Sequence, residues 1–199
     1  EVIETLHART HGWAAGVVLM LEQGRGGDIP DTAKLPSGQK LLFDYFAGEI
    51  LNRSDPLVRE FLLKTALFPK VSADAARAIS GIEKSREILD DLTRRNYFTL
   101  RHTGTGGDTY QYHPLFREFL LKAAEGNYSP EGLARLRTQA GETLIESGQV
   151  NEGVDLLITA QAWLLLAEQI QRQAQTQLAN GRWQTLSRWL AALPPPDVE

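Results

Sequence analysis

His113 is the residue whose type and position most clearly suggest chemistry, because it stands between a strand-like and a helix-like segment. Residues 109–112 alternate polar and aromatic side chains, as a half-buried strand does. Pro114 follows directly, and proline suits the first position of a helix because an N–H there has no helical partner to lose. The imidazole of His113 is therefore expected near a helix N-cap, a place that favours an anion.

Other kinds of site find little support in the sequence. His7 and His11 stand four residues apart, as two metal ligands on one helix face can, but no third ligand lies near them. The chain has no Gly-x-x-x-x-Gly-Lys-Ser/Thr phosphate loop and no Gly-x-Ser-x-Gly nucleophile elbow. Its carboxylates are spread among basic residues, which is typical of solvated helix faces. We therefore expect no catalytic residue, no metal site and no enzymatic activity in this chain.

Composition narrows the class of protein further. Of the 199 residues, 42% are hydrophobic, which is enough to build cores, but no apolar run approaches the ~18 residues of a membrane span. The chain contains no cysteine, so disulfides and thiolate metal sites are excluded. It begins without a basic and apolar signal segment. We expect a cytoplasmic protein that does not contact a membrane.

The middle of the chain shows the element order of a winged helix. Three short helices are expected, the first opened by Asp55-Pro56 and the second by Ser72, both residue types that begin helices. The third helix is expected over residues 84–95. Strands at residues 97–101 and 109–112 then flank a glycine-rich loop, which predicts a β-hairpin.

The third helix of a winged helix often reads DNA in the major groove. Here its basic residues are balanced by as many acidic ones: Lys84, Arg86, Arg94 and Arg95 against Glu83, Glu87, Asp90 and Asp91. A surface that follows phosphates should be clearly basic, and the net charge of the chain is -4. Direct DNA binding by this helix is therefore an alternative that the charges disfavour.

The last third of the chain contains an internal repeat. The segment Ser147-Gly148-Gln149-Val150 recurs as Asn180-Gly181-Arg182-Trp183, 33 residues later (181 − 148), with a break near residues 161–163. This period is close to the ~34 residues of tetratricopeptide-type helical hairpins. Since about three repeats are needed for a stable stack, the block is expected either to lean on the winged helix or to continue in further repeats.

Together these patterns predict a mainly α fold with three parts. Residues 1–52 contain an apolar helix at 17–21, a glycine-rich loop and a further helix from Gln39, which indicates a partial helical domain. Residues 53–127 are assigned to the winged helix with its small β-hairpin. Residues 128–199 are assigned to tetratricopeptide-like helical hairpins.

Four stretches of the chain resemble one protein family. Residues 11–17, 42–51, 58–66 and 112–120 are similar, in order and spacing, to segments of the MalT-like branch of the LuxR-family transcriptional regulators, which are STAND-type signalling ATPases. The resemblance implies a nucleotide-binding domain, then a helical domain, a winged helix and a sensor built from repeats.

The resemblance also implies a nucleotide contact. His113 matches the histidine of the family's Met-His-Asp-type motif, which touches the β-phosphate of bound ADP in the closed state, although Pro114 stands where the motif has aspartate. Gly12, Trp13 and Ala14 match the Gly-x-Pro motif that packs on adenine, with Ala14 in place of the proline.

The function implied by the resemblance is that of a non-catalytic regulatory fragment. It would couple the nucleotide state of an upstream ATPase domain, which binds ATP or ADP in the intact protein, to an inducer or protein partner held by the repeats. DNA would be bound only through a separate C-terminal domain. The alternatives are a winged-helix protein that binds DNA directly and a tetratricopeptide scaffold that binds a peptide.

Overall fold

The computed structural model describes residues 47–48, 50–95, 97–104 and 107–195. The chain forms two compact units. One takes its described residues up to Ala66 together with Lys70–Lys122, and the other takes Leu67–Pro69 and the described residues from Ala123 onward. The predicted helical domain at 1–52 lies almost wholly outside the described residues, and so do His7, His11, Gly12, Trp13 and Ala14.

The first unit has the element order of a winged helix, which confirms the predicted fold class. After helical residues 47–48 and 50–53, the elements are α1 (Pro56–Thr65), β1 (Val71–Ser72), α2 (Ala73–Ser80), α3 (Ser85–Arg94), β2 (Thr99–His102), β3 (Thr109–Tyr112) and α4 (Pro114–Asn127). The last residues of α4, from Ala123 onward, belong to the second unit. The strands form an antiparallel sheet in the order β1-β3-β2.

The first two helices begin where their cap residues predicted. The Asp55 carboxylate accepts the N–H of Leu57 at 2.9 Å, ahead of a proline in the first turn. The Ser72 hydroxyl accepts the N–H of Ala75 at 3.1 Å, and Gly81 ends α2 with φ 74°, a conformation that glycine adopts without steric cost.

Two details of the sheet differ from the sequence expectation. The second strand begins at Thr99 instead of Tyr97, because the Tyr97 N–H is bonded to the Leu92 carbonyl at 2.9 Å and Phe98 has φ 49°. The chain therefore turns at these two residues before the ladder starts. The short strand β1 was not predicted. It owes its extended form to pairing of Val71 with Tyr110 across the sheet.

The interior of the first unit is built from apolar stripes of the helices and one face of β3. The largest buried side chains include Phe61, Leu62, Leu89, Tyr110, Phe116 and Leu120. Tyr110 and Tyr112 are buried while Gln111 between them is partly exposed, so the predicted alternation of β3 is confirmed.

The second unit consists of helical hairpins that repeat with the predicted period. Its helices are α5 (Pro130–Glu146), α6 (Val150–Thr159), α7 (Trp163–Ala179) and α8 (Trp183–Ala192). The pair α5–α6 has lengths of 17 and 10 residues, and the pair α7–α8 has the same lengths. Both boundaries recur after 33 residues (163 − 130 and 183 − 150). The fold of helical hairpins is confirmed, and their assignment to the tetratricopeptide class stays a prediction.

The turns inside the two hairpins have the same hydrogen bonds. Gly148 and Gly181 have φ of 85° and 69°, and their N–H groups donate at 3.0 Å to the carbonyls of Ile145 and Leu178. A side chain larger than hydrogen would be strained at either glycine. This requirement explains why glycine recurs at the same point of both hairpins.

The sequence predicts no membrane-spanning segment. No helix there is both long and apolar enough to cross a bilayer.

Candidate functional site

His113 lies between the hairpin and α4, as the sequence predicts. Its main-chain N–H donates to the carbonyl of Phe98 at 2.6 Å, which closes the hairpin just beyond the β2–β3 ladder. Its own carbonyl accepts the N–H of Arg117 at 2.9 Å, the first bond of α4. His113 is therefore the N-cap residue of this helix, and its side chain is half-buried.

The imidazole of His113 acts as the cap. Its Nδ1 accepts the N–H of Leu115 at 3.3 Å. A ring nitrogen that accepts a hydrogen bond carries no proton, so in the neutral ring the proton is on Nε2. The cap thus selects the tautomer in which Nε2–H is a donor.

Aromatic rings hold the imidazole in place. The ring centroid of Phe98 lies 6.1 Å from that of His113 and 5.4 Å from that of Phe116. Phe116 in turn meets the ring of Tyr112 edge to face at 5.8 Å. These side chains belong to β3, α4 and the turn before β2, so the position of His113 depends on the whole hairpin.

A buried hydrogen bond fixes β3 to α1 beneath this cluster. The hydroxyl oxygens of Tyr112 and Thr65 are 2.7 Å apart, and the Thr65 hydroxyl also donates to the Phe61 carbonyl at 2.7 Å. Burial raises the pKa of Tyr112 well above its ordinary value, so its hydroxyl stays protonated. This bond therefore holds β3, the strand that precedes His113, against α1.

Arg117 is a candidate site residue that the sequence analysis did not single out. It lies one helical turn after His113, at the i,i+4 spacing that places two side chains on one face of a helix. Partial burial lowers the pKa of its guanidinium, which nevertheless remains charged at neutral pH. A cation added to the helix N-terminus strengthens the local preference for an anion.

The surface formed by α3 and the hairpin has a different electrostatic character. Asp90 accepts the Tyr110 hydroxyl at 2.6 Å and pairs with Arg101 at 3.3 Å. Asp108 pairs with the same Arg101 at 2.5 Å and with Arg86 at 3.5 Å. These arginines are thus neutralised by carboxylates of the protein itself, whereas DNA binding needs cations that can pair with phosphates.

The second unit carries a polar surface across its two short helices. Asn151, Glu152 and Asp155 of α6 and Gln184, Thr185 and Arg188 of α8 line a depression of about 460 Å³. The two sets occupy equivalent positions, since each number in the second is 33 larger than its counterpart in the first (184 − 151). Asp155 and Arg188 form an ion pair at 3.1 Å.

The structure describes one of the four residues predicted to bind nucleotide. His113 lies at the N-terminus of α4, while Gly12, Trp13 and Ala14 lie outside the described residues, so the phosphate contact and the adenine contact both stay predictions. No group of three or more His, Asp or Glu side chains that could hold a metal occurs among residues 47–195 as far as they are described.

Comparison with known proteins shows what the winged-helix part of the chain is similar to. Residues 47–132 match the family model of the MalT winged helix domain. The chain is 28% identical over 160 residues to the serine/threonine-protein kinase PknK of Mycobacterium tuberculosis (strain ATCC 25618 / H37Rv), a match that covers 79% of this chain and 14% of that protein.

A second relative is similar over more of the chain. The HTH-type transcriptional regulator MalT of Cronobacter sakazakii (strain ATCC BAA-894) is 27% identical over 187 residues, which cover 92% of this chain and 20% of the relative. The chain thus spans only 14% to 20% of the length of these relatives. Residues 47–132 are thus similar to the MalT winged helix domain, and most of the chain is similar to a segment of a protein named as a transcriptional regulator.

Proposed function

We propose that this chain is the non-catalytic regulatory part of an ATP-dependent STAND-type transcriptional regulator. Its winged helix would contact a nucleotide held by an upstream ATPase domain of the intact protein, and its helical hairpins would respond to an inducer or a protein partner. The proposal is supported by the family match over residues 47–132 and by the similarity to a protein named as an HTH-type transcriptional regulator.

The observation that carries the proposal is the capping geometry of His113. Because Nδ1 accepts the Leu115 N–H, the proton of the neutral ring is on Nε2, which is the nitrogen proposed to donate to the phosphate. The helix dipole favours an anion at the same end of α4. An ADP phosphate fits this set of groups. Gly12, Trp13 and Ala14 are proposed to contact the adenine.

The regulatory step would be a shift between a closed state that binds ADP and an open state in which His113 does not contact the phosphate. If His113 contacts phosphate only in the closed, ADP-bound state, the contact stabilises that state and slows release of ADP. An inducer that binds the open state better would reverse the shift. Each tenfold change in the balance corresponds to about 1.4 kcal/mol of differential binding, the size of one charge-assisted hydrogen bond.

The test separates the cap from the phosphate contact. In the intact protein, His113→Asn keeps a side chain that can cap a helix, whereas His113→Ala removes the cap as well. We expect both variants to release ADP about tenfold faster than wild type, and only His113→Ala to lose thermal stability. His102→Ala is the matched control, since His102 is the exposed hairpin histidine and bonds to Gln111 at 3.0 Å.

The ADP release rates and thermal stabilities of these variants decide whether His113 contacts the phosphate. Fast ADP release with normal stability in His113→Asn supports a direct contact. An unchanged release rate in both His113 variants contradicts it, and an equal effect of His102→Ala would assign the change to the hairpin as a whole.

The polar surface of α6 and α8 favours a role of the hairpins in partner binding. Two carboxamides, two carboxylates, a hydroxyl and a guanidinium line one depression, which suits a polar ligand or a peptide main chain. Arg188→Ala in the intact protein should weaken the response to the inducer and leave ADP retention unchanged. A normal inducer response would place the partner elsewhere.

A further inference from the structure

A groove with an apolar lining lies between the start of α1 and α3 in the first unit. Its volume is about 420 Å³. Leu57 and Val58 contribute from α1, Ile88 and Leu92 contribute from α3, and Ile82 contributes from the segment before α3. Because Ile88 and Leu92 are four residues apart, they belong to one stripe of that helix. The groove is therefore an apolar surface shared by two helices of the winged helix.

The apolar side chains of this groove are only partly covered by the protein itself. Leu92 is 3% exposed, whereas Leu57 is 49% exposed. Val58, Ile82 and Ile88 are all partly exposed. Single exposed apolar residues are normal on a protein surface, but four of them around one depression indicate an interaction site.

Carboxylates outnumber cations in the lining of the groove. Four carboxylates and one ammonium group line it, which leaves an excess of three negative charges (4 − 1): Asp55, Glu83, Glu87 and Asp91 against Lys84. Two of these carboxylates pair with arginines outside the lining. Glu83 lies 3.7 Å from Arg77, and Asp91 pairs with Arg94 and, at 2.7 Å, with Arg95.

The other two carboxylates, Asp55 and Glu87, form no ion pair with any residue that the structure describes. They border the groove from different elements, since Asp55 precedes α1 and Glu87 lies on α3. The charges of α3 cancel along the sequence, but the fold separates them, because Arg86 is paired with Asp108 of the hairpin and does not line the groove.

The apolar lining and the charges together define the kind of partner that fits. An amphipathic helix places apolar side chains at i, i+3, i+4 and i+7, and such a stripe fits an apolar groove. Basic side chains beside that stripe would meet a carboxylate on either side of the groove. The phosphates of a nucleic acid, or the carboxylates of an acidic partner, would be repelled there.

We propose that the groove between α1 and α3 binds a basic amphipathic helix of a partner protein. Its apolar stripe would cover Leu57 and Ile88, and its lysine or arginine side chains would pair with Asp55 and Glu87. The inference is independent of the proposed nucleotide contact, because no residue that lines the groove is assigned to that contact.

The first experiment uses the wild-type intact protein with labelled methyl groups and two synthetic amphipathic helical peptides. Both peptides carry the same leucine stripe, and their polar faces carry lysine in one and glutamate in the other. The lysine peptide should bind at physiological ionic strength and shift the methyl signals of Val58, Ile82 and Ile88. Equal binding of the two peptides, or unchanged methyl signals with the lysine peptide, would overturn the proposal.

The second experiment compares variants at exposed positions of the intact protein. Leu57→Gln removes apolar surface and Glu87→Lys reverses one charge, so each should weaken binding of the lysine peptide about fivefold. Glu142→Lys is the matched control, because Glu142 is an exposed residue of α5 and makes the same change in net charge. An equal loss of affinity in Glu142→Lys would overturn the proposal, since the attraction would then not be located at the groove.

Other occupants of the groove give different results. Self-association of the wild-type protein that Leu57→Gln abolishes would assign the groove to a second copy of the chain and contradict a separate partner. A shift of the Val58, Ile82 and Ile88 methyl signals on addition of duplex DNA would assign it to nucleic acid and contradict the proposal as well.

Discussion

At the scale of single residues, the donors and acceptors around β3 determine how firmly His113 is held. Thr65 has one hydroxyl proton, and it is given to the Phe61 carbonyl. The 2.7 Å contact between Thr65 and Tyr112 must therefore use the Tyr112 proton. Since both side chains are buried, neither group can exchange its partner for water.

The Thr65–Tyr112 bond can be tested with a double-mutant cycle. Tyr112→Phe leaves the Thr65 oxygen with one partner fewer, and we expect a loss of about 1 to 2 kcal/mol in the free energy of unfolding. Thr65→Val should cost a similar amount. The double variant should lose less than the sum, because both partners are then apolar. Additive losses in urea unfolding would contradict a direct bond.

Tyr110 gives a prediction about alkaline pH. Burial and the bond to Asp90 raise its pKa from 10.0 to about 12. A raised pKa in the folded state means that the folded state holds the proton more tightly than the unfolded chain. The resulting stability is fully present below pH 10 and is lost as the pH rises through about 12.

The measurement compares wild type with Tyr110→Phe. The free energy of unfolding of wild type should fall more steeply between about pH 10 and 12 than that of the variant, which has no phenol to ionise. Parallel slopes over this range would show that Tyr110 ionises equally in both states.

At the scale of elements, the closest helix contact is the crossing of α5 and α6. A Cβ atom placed on Gly153 would lie 2.5 Å from the carbonyl oxygen of Gly141 and 2.6 Å from a side-chain carbon of Ile145. These separations are far below van der Waals contact, so the two helices can approach this closely only because both positions are glycine.

The glycine crossing predicts an unusual response to alanine. Gly153→Ala should destabilise the second unit by about 1 to 3 kcal/mol, because the main chains must move apart. Gly126→Ala in α4 is the control, since a Cβ there meets no atom within 4 Å, and it should be neutral or stabilising by up to about 1 kcal/mol. The measurement is the thermal unfolding midpoint of each variant. Equal midpoints for the two variants would contradict the close approach of α5 and α6.

The sequence predicts the features that are set by neighbouring residues, and it does not predict those that depend on contacts with distant parts of the chain. The caps at Asp55 and Ser72 and the turn at Gly148 were predictable, because each is set by a few neighbouring residues. The strand Val71–Ser72 was not, because two residues show no periodicity and only pairing with β3 makes them extended. The role of Gly153 likewise depends on a helix that begins more than twenty residues earlier.

The candidate site follows the same rule. His113 was predictable because a strand pattern and Pro114 adjoin it in sequence. Its use of Nδ1 as the cap and the place of Phe98 beside its ring required the folded hairpin. The i,i+4 spacing from His113 was the available signal for Arg117.

At the scale of the whole molecule, a winged helix similar to that of MalT precedes repeating helical hairpins in a chain that spans 14% to 20% of the relatives' length. The hairpin and α4 present one histidine at a helix N-terminus in the winged helix. The helical hairpins present a polar surface across α6 and α8. The proposed function therefore requires that binding of an inducer to the helical hairpins changes the nucleotide contact of the winged helix in the intact protein.

The most direct measurement of the central claim is the nitrogen spectrum of the His113 ring in the intact protein, with ¹⁵N-labelled histidine and assignment by His113→Asn. Without nucleotide, we expect Nδ1 to accept the Leu115 N–H and the ring proton to be on Nε2. On binding ADP, the Nε2 proton signal should move downfield and become protected from exchange, as expected for a hydrogen bond to phosphate. A ring protonated on Nδ1, or a spectrum that ADP leaves unchanged, would contradict the account.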